Sequence, residues 1–256
     1  MFSAARLPLQ YDPARLREDY ARIGAAEWVA HFNTKYFQGN WSGVSLHGQK
    51  DKANALLVNS ESFDYDCNGL KGRCPHLHSV ITSFQCPLRA VRLLKLTAGS
   101  IIPEHRDYDL GYDQGEVRIH VPVITNPQVE FYLDNKRIIM NPGECWYLDL
   151  NRPQRVYNRG STDRIHLVID CVLNDWLREL IAQGIPYEGK ESSFEDFRLR
   201  VLADPALQQQ LMGIDSRQEL VTKAAELGHT LGYDFLLPDV EAAMRIARES
   251  LQKRIA

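Results

Sequence analysis

Ile101–Val123, IIPEHRDYDLGYDQGEVRIHVPV, is the stretch from which the rest of the chain is read. His105 and Asp107 stand two positions apart on a strand-like run. A glycine-containing loop follows, and then an alternating strand, Val117–Val121, with Arg118 and His120 at its even positions. Side chains of an extended segment repeat every two residues, so an imidazole and a carboxylate at this spacing share one side. That is two-thirds of the facial 2-His-1-carboxylate arrangement, which holds Fe(II) and leaves coordination positions open. Arg118 and His120 share a face by the same parity and offer donors to an anion. Alone, an H-x-D tripeptide is more often a polar surface turn, so its neighbourhood decides.

Working outward, Arg89–Thr97 (RAVRLLKLT) reads as a buried strand ended by Ala98 and Gly99. Downstream come Glu116–Ile124, a turn at Thr125–Pro127, and the pair Val129–Leu133 and Arg137–Met140 joined through Asp134, Asn135 and Lys136. A turn at Asn141–Gly143, the alternating Glu144–Leu150 and the long Asp163–Leu173 complete the series. Short strands at close, regular spacing with Gly, Pro and Asn turns predict a mainly β core folded as a double-sheet jelly roll. The mouth of such a barrel is where a metal and a small acid would sit.

Before this core, Pro13–Trp28 has helical spacing through Leu16, Tyr20, Ile23 and Ala26, and Trp41–His47 is a strand candidate. Cys67–His78 (CNGLKGRCPHLH) brings Cys67, Cys74, His76 and His78 near one another, but the spacing matches no structural zinc pattern. A loop leading into a short helix is the preferred reading. After Asn174 a helix begins at Asp175 and runs to Gln183. Four amphipathic stretches follow: Ser193–Leu202, Pro205–Met212, Ser216–Leu227 and Pro238–Gln252. Asp215 or Ser216 is expected to cap the third, Gly228 to end it and Pro238 to open the fourth. The division expected is a barrel domain, residues 1–185, and a small all-α module, residues 190–256.

Composition narrows the partners. The 256 residues are 44% hydrophobic and 25% charged, with net charge −3 and pI near 6.2. There is no basic footprint for nucleic acid, and no apolar run approaches the roughly 18 residues of a membrane span. The segment MFSAARLPLQYDPARL lacks a hydrophobic signal core, which makes a cytoplasmic location the expectation. Five cysteines (Cys67, Cys74, Cys86, Cys145 and Cys171) are odd in number and widely spaced, and read as reduced, mostly buried thiols.

Four segments together resemble the aspartyl/asparaginyl β-hydroxylase family, which includes bacterial proline cis-hydroxylases. They are LRAVRLLKLTAGSIIPEHRD, GEVRIHVPVITNP, NPGECWYLDLNRP and NRGSTDRIHLVID, in order across roughly residues 60–176. The resemblance implies an Fe(II)- and 2-oxoglutarate-dependent oxygenase on a double-stranded β-helix, cupin-like and flanked by helices. It implies His105 and Asp107 as metal ligands and Arg164 as the arginine that pairs with the distal carboxylate of 2-oxoglutarate. A planar guanidinium fork suits that task. Arg118 and His120 match positions that hold the co-substrate's other carboxylate. The implied substrate is an amino acid, free or within a peptide, with Asp/Asn-type side chains or proline as the nearest models.

One departure stands out. The family places its second iron-binding histidine ten residues before the arginine, and here that position is Gln154 (NRPQRVYNRG). A neutral amide oxygen is a poorer Fe(II) ligand than imidazole. Three readings stay open. Iron binds through His105, Asp107, 2-oxoglutarate and water and the chain hydroxylates; or Gln154 gives a weakened site, another metal or another oxidation; or the barrel binds a ligand or peptide without turnover. A cupin-type barrel for a sugar or small acid is disfavoured by the lack of a His-rich strand cluster with a downstream Glu and His. Residues 193–246 also resemble the nif-eleven type leader-peptide family, through F-x(n)-D-P-x-L, A-x-E-L-G and G-Y-D-F. That implies a partner in modified-peptide biosynthesis; the alternative is a helical packing module.

Overall fold

The structure is a computed structural model that describes residues 2–31, 37–47, 70–134, 136–187, 190–191 and 194–231, with isolated positions 233, 235, 237, 239–241 and 244. The chain forms two compact units, residues 1–189 and 190–256. The first contains strands β1 (Ala4–Gln10), β2 (Val29–Ala30), β3 (Trp41–His47), β4 (Leu88–Leu96), β5 (Ile101–His105) and β6 (Glu116–Ile124). It continues with β7 (Val129–Leu133), β8 (Lys136–Ile138), β9 (Glu144–Leu148), β10 (Gln154–Asn158), β11 (Arg164–Val172) and β12 (Ile185–Pro186). Its helices are α1 (Pro13–Ala21), α2 (Leu70–Arg73), α3 (Pro75–Thr82) and α4 (Asp175–Ala182).

The larger sheet runs β12-β1-β9-β6-β11-β4-β3-β2 and the smaller β8-β7-β10-β5, with antiparallel neighbours in both. This is a jelly roll. Strand parity sorts side chains into two cores. Odd positions of β4, β6 and β11 (Val91, Leu93, Val117, Ile119, Val121, Ile165, Leu167 and Ile169) pack with Leu16, Leu77, Ile81 and Leu177 of the helices. Between the sheets, Leu96, Trp146 and Leu148 meet Ile102, Phe131, Leu133 and Val156. Glu144–Leu148 therefore alternates as expected, yet all five residues are buried, because both faces of β9 are covered.

Local chemistry sets the ends of the elements. Asp12 caps α1 by accepting from the amides of Ala14 and Arg15. The helix expected to reach Trp28 stops at Ala21, because Gly24 is extended and accepts no further turn; a short 3-10 turn, Ala25–Glu27, follows. Asp19, 2% exposed, turns inward instead: its Oδ2 accepts from the amides of His76 and Leu77 at 2.7 and 2.8 Å and so caps α3. Cys74, His76 and His78 thus belong to a helix start, and Cys67 lies outside the described residues. Cys74, Cys86, Cys145 and Cys171 are free and buried. Gly143 sits at φ 82°, and a Cβ there would lie 2.2 Å from the Tyr11 carbonyl oxygen, so the Asn141–Gly143 turn needs glycine.

The second unit holds α5 (Phe194–Ala203), α6 (Pro205–Leu211) and α7 (Arg217–Thr230) around Phe197, Leu207, Val221, Ala224, Leu227 and Phe235. Ser216 caps α7. Gly228 does not end that helix, which runs on to Thr230. A Cβ at Gly228 would lie 2.1 Å from Phe235 Cζ, so glycine is there for packing. Most of the expected fourth helix, Pro238–Gln252, lies outside the described residues. Among the described residues no helix is long and apolar enough to cross a membrane.

Candidate active site

Three side chains meet where the smaller sheet opens. His105 ends β5 and pairs across strands with Gln154, the first residue of β10. The expectation that Asp107 shares its side by continuing an extended strand is corrected: β5 stops at His105. Asp107 is brought round by a turn in which its amide donates to Leu150 O at 2.9 Å and its carbonyl accepts from Leu110. The outcome is the same juxtaposition by other means. His105 Nε2 and Asp107 Oδ1 lie 4.0 Å apart. His105 Nδ1 lies 2.9 Å from Pro103 O. A carbonyl only accepts, so Nδ1 carries a proton, and in the neutral ring Nε2 keeps its lone pair, the tautomer and backbone anchor common to metal-binding histidines.

The other oxygen, Asp107 Oδ2, is occupied by the protein. It accepts from Arg118 Nη1 at 2.7 Å and, more weakly, from Gln154 Nε2 at 3.4 Å. Gln154 is 4% exposed, and with its amide nitrogen on Asp107 its oxygen is left for another contact. Among the described residues no three His, Cys, Asp or Glu side chains converge as a metal cluster; the third side chain beside His105 and Asp107 is Gln154.

Behind Asp107 runs a buried ion network that motif reading did not find. Arg118 also donates to Asp170, Nε to Oδ1 at 2.5 Å and Nη2 to Oδ2 at 3.0 Å, and Arg92 pairs with the same Oδ2. Burial works to raise the Asp170 carboxyl, but the two guanidiniums outweigh it and hold it below the usual range. Burial likewise opposes the Arg118 charge, and Asp170 and Asp107 reverse the balance upward. Arg118, expected to meet the co-substrate, has donors on both of these carboxylates. Asp170 shares the parity of Arg164 and His166 on β11, which is the signal that could have exposed it.

On the same face of β11 lies Arg164, 3% exposed. Among the described residues it has no carboxylate partner, and its Nε has no hydrogen-bond partner. Burial alone pulls it down to about 9. Its Nη2 is 2.9 Å from His166 Nδ1, and that nitrogen is 3.3 Å from His120 Nδ1. Burial, with Arg164 second, keeps both imidazoles well below their ordinary range, and both rings are neutral. At the other end His31 stacks on Trp41, centroids 3.6 Å apart and planes 5° apart. Burial, then the charges of Arg92 and Arg118, lower it to about 4. No motif marked His31.

The sequence model of the family described as aspartyl/asparaginyl beta-hydroxylase matches residues 13–173. The L-proline cis-4-hydroxylase of Rhizobium meliloti (strain 1021) is 24% identical over 233 residues, which are 90% of this chain and 75% of that protein. Among solved structures, a 2OG-Fe(II) oxygenase family oxidoreductase from Burkholderia pseudomallei aligns with TM-score 0.43 at 13% identity, covering 66% of this chain and 85% of that one. A prolyl-4-hydroxylase from Pseudomonas putida gives TM-score 0.43 at 11% identity, covering 68% and 94%. The family match takes in the His105–Asp107 pair, Gln154 and Arg164 in one continuous span. The chain belongs to the aspartyl/asparaginyl β-hydroxylase family.

Proposed function

We propose that the protein is an Fe(II)- and 2-oxoglutarate-dependent hydroxylase of an amino-acid side chain, free or in a peptide, with proline and Asp/Asn-type residues as the nearest substrate models. One observation carries this reading: Arg164, a buried guanidinium with no carboxylate partner among the described residues, in the same barrel as a bare His105 Nε2 facing Asp107 Oδ1. A desolvated cation without a counter-ion is costly and is relieved by a bound carboxylate. The donor set fits Fe(II) as one imidazole, one carboxylate and one amide, with less nitrogen than the usual face.

In this reading His105 Nε2 and Asp107 Oδ1 hold the metal, Gln154 offers its amide oxygen, and Arg164 grips the distal carboxylate of 2-oxoglutarate. When bound, Fe(II) with 2-oxoglutarate supplies the oxidation: O2 is consumed, 2-oxoglutarate leaves as succinate and CO2, and a substrate C–H becomes C–OH. Arg118 neutralises Asp107 Oδ2 and leaves Oδ1 to face His105. The apolar side chains between the sheets, Leu96, Phe131 and Leu148 among them, exclude water from the co-substrate. The second unit, residues 190–256, is taken as a leader-like module that brings the barrel to peptide substrates, a role supported by its sequence pattern alone.

Gln154 favours one other reading, in which the barrel binds a peptide or small acid without turnover. Incubation with Fe(II), O2, 2-oxoglutarate and L-proline, Asp, Asn or short peptides containing them separates the two. Succinate with one oxygen added to a substrate is the expected result; no succinate beyond a metal-free control with any of them favours the binding protein. Arg164→Ala is expected to raise half-saturation by 2-oxoglutarate at least about tenfold, the worth of a lost charge-assisted hydrogen bond. An unchanged value removes Arg164 from the assignment.

A further inference from the structure

A buried guanidinium that waits for an anion must be held in place, and the hydrogen-bond chain around Arg164 shows how. A guanidinium has donors only. His166 Nδ1, 2.9 Å from Arg164 Nη2, is therefore the acceptor, and the proton of that neutral ring is on Nε2. His120 Nδ1 lies 3.3 Å from the same nitrogen. Two bare nitrogens at that distance repel, so His120 carries its proton on Nδ1 and is bare at Nε2. His120 Nε2 is buried and has no partner among the described residues. The two histidines stand in opposite tautomers, each fixed by its neighbour. Strand register makes the arrangement possible: His166 pairs with Pro122 and Val168 with His120, which puts both rings between β6 and β11 on the barrel face that carries Arg164.

We propose that His166 is the positioning residue for Arg164, with its tautomer set by His120, so that the co-substrate carboxylate meets a guanidinium already aimed. A second consequence concerns His120. A carboxylate oxygen cannot hydrogen-bond to a bare ring nitrogen, so His120 reaches the co-substrate only across a water that donates to Nε2. Both statements rest on the reading of Arg164 as the 2-oxoglutarate anchor; the tautomers do not.

The test has two arms on the full chain. In nitrogen-15 histidine-labelled protein, ring nitrogen-to-carbon-proton correlations report which nitrogen bears the proton, with His120→Gln and His166→Asn used for assignment. The expected result is a bare Nδ1 in His166 and a bare Nε2 in His120; like tautomers, or a protonated ring near neutral pH, overturn the proposal. In the second arm, 2-oxoglutarate is titrated into anaerobic Fe(II)-loaded protein. His166→Leu is expected to bind it about ten- to a hundredfold more weakly. His166→Asn, whose Oδ1 takes the place of Nδ1 as acceptor, is expected to regain most of that loss. Equal losses in both variants overturn the positioning role. Arg164→Ala runs beside them. If it binds 2-oxoglutarate as the native protein does, the reading of Arg164 fails. If it binds weakly while His166→Leu binds normally, only the positioning role fails. Should His166→Leu not fold, the tautomers and the Asn variant decide.

Discussion

Asp170→Asn removes one charge from the cluster that Arg92, Arg118, Asp107 and Asp170 form. Arg92 and Arg118 carry two positive charges, and Asp107 and Asp170 two negative ones; Asp170 is 1% exposed and accepts from both guanidiniums. With the Asp170 charge gone, Asp107 alone faces Arg118, and Arg92 loses the Asp170 ion pair. Breaking a buried pair by removing one partner costs about 3–5 kcal/mol. For a unit of this size each kcal/mol lowers the melting temperature by about 2–4 °C, so a fall of roughly 6–20 °C is expected. Trp28, Trp41, Trp146 and Trp176 are all the tryptophans of the chain and all lie in the first unit, so their fluorescence in a urea titration reports that unit. Arg92→Met together with Asp170→Asn removes both charges of the Arg92–Asp170 ion pair, leaves the Arg118–Asp107 pair, and is expected to recover part of the loss. A single-variant loss under about 1 kcal/mol would refute the reasoning, because it would mean that the guanidiniums are not desolvated.

Two further outcomes follow from the same geometry. The folded-state values of His120 and His166 are depressed, so the stability they contribute is fully present above the unfolded value near 6.5 and is lost as pH falls below it. The slope is at most about 1.4 kcal/mol per pH unit for each ring. Urea midpoints between pH 7 and 5 are expected to fall, and less steeply in His166→Asn; a slope unaffected by that substitution contradicts the assignment. In the second unit, Gly228→Ala is expected to destabilise by about 1–3 kcal/mol, since the new Cβ would collide with Phe235. Faster amide hydrogen exchange across α5–α7 would register it, whereas slower exchange, the usual effect of Gly→Ala in a helix, would contradict the packing role.

Strand alternation was legible because each parity meets a different environment: Ile165, Leu167 and Ile169 face the helices while Arg164, His166 and Asp170 face the barrel. The same alternation could not say that β9 is buried on both faces, since Glu144 is kept inside by local bonds to Asn141 and Trp146. The juxtaposition of His105 and Asp107 was anticipated for a reason that does not hold, a continuous strand, whereas a turn anchored on Leu150 brings it about. Asp170 and Arg92 were hidden in runs that read as apolar strands, IDCV and AVRLLKL; a charge there matters only through partners on other strands. His31 was invisible because its place depends on stacking with Trp41. Gly228 read as a helix stop since its real constraint, Phe235, approaches from outside the helix.

Whether a face with Gln154 in the third place chelates iron and co-substrate together decides the proposed function. Anaerobic addition of Fe(II) and then 2-oxoglutarate, followed by the visible metal-to-ligand charge-transfer band, measures this directly, with Gln154→His titrated in parallel. A band is expected in the native protein, with Fe(II) half-saturation at lower metal in the histidine variant, as imidazole is the better Fe(II) ligand. A band in Gln154→His with none in the native protein would contradict the proposed function, and the barrel would then be a binding protein whose iron site has been switched off.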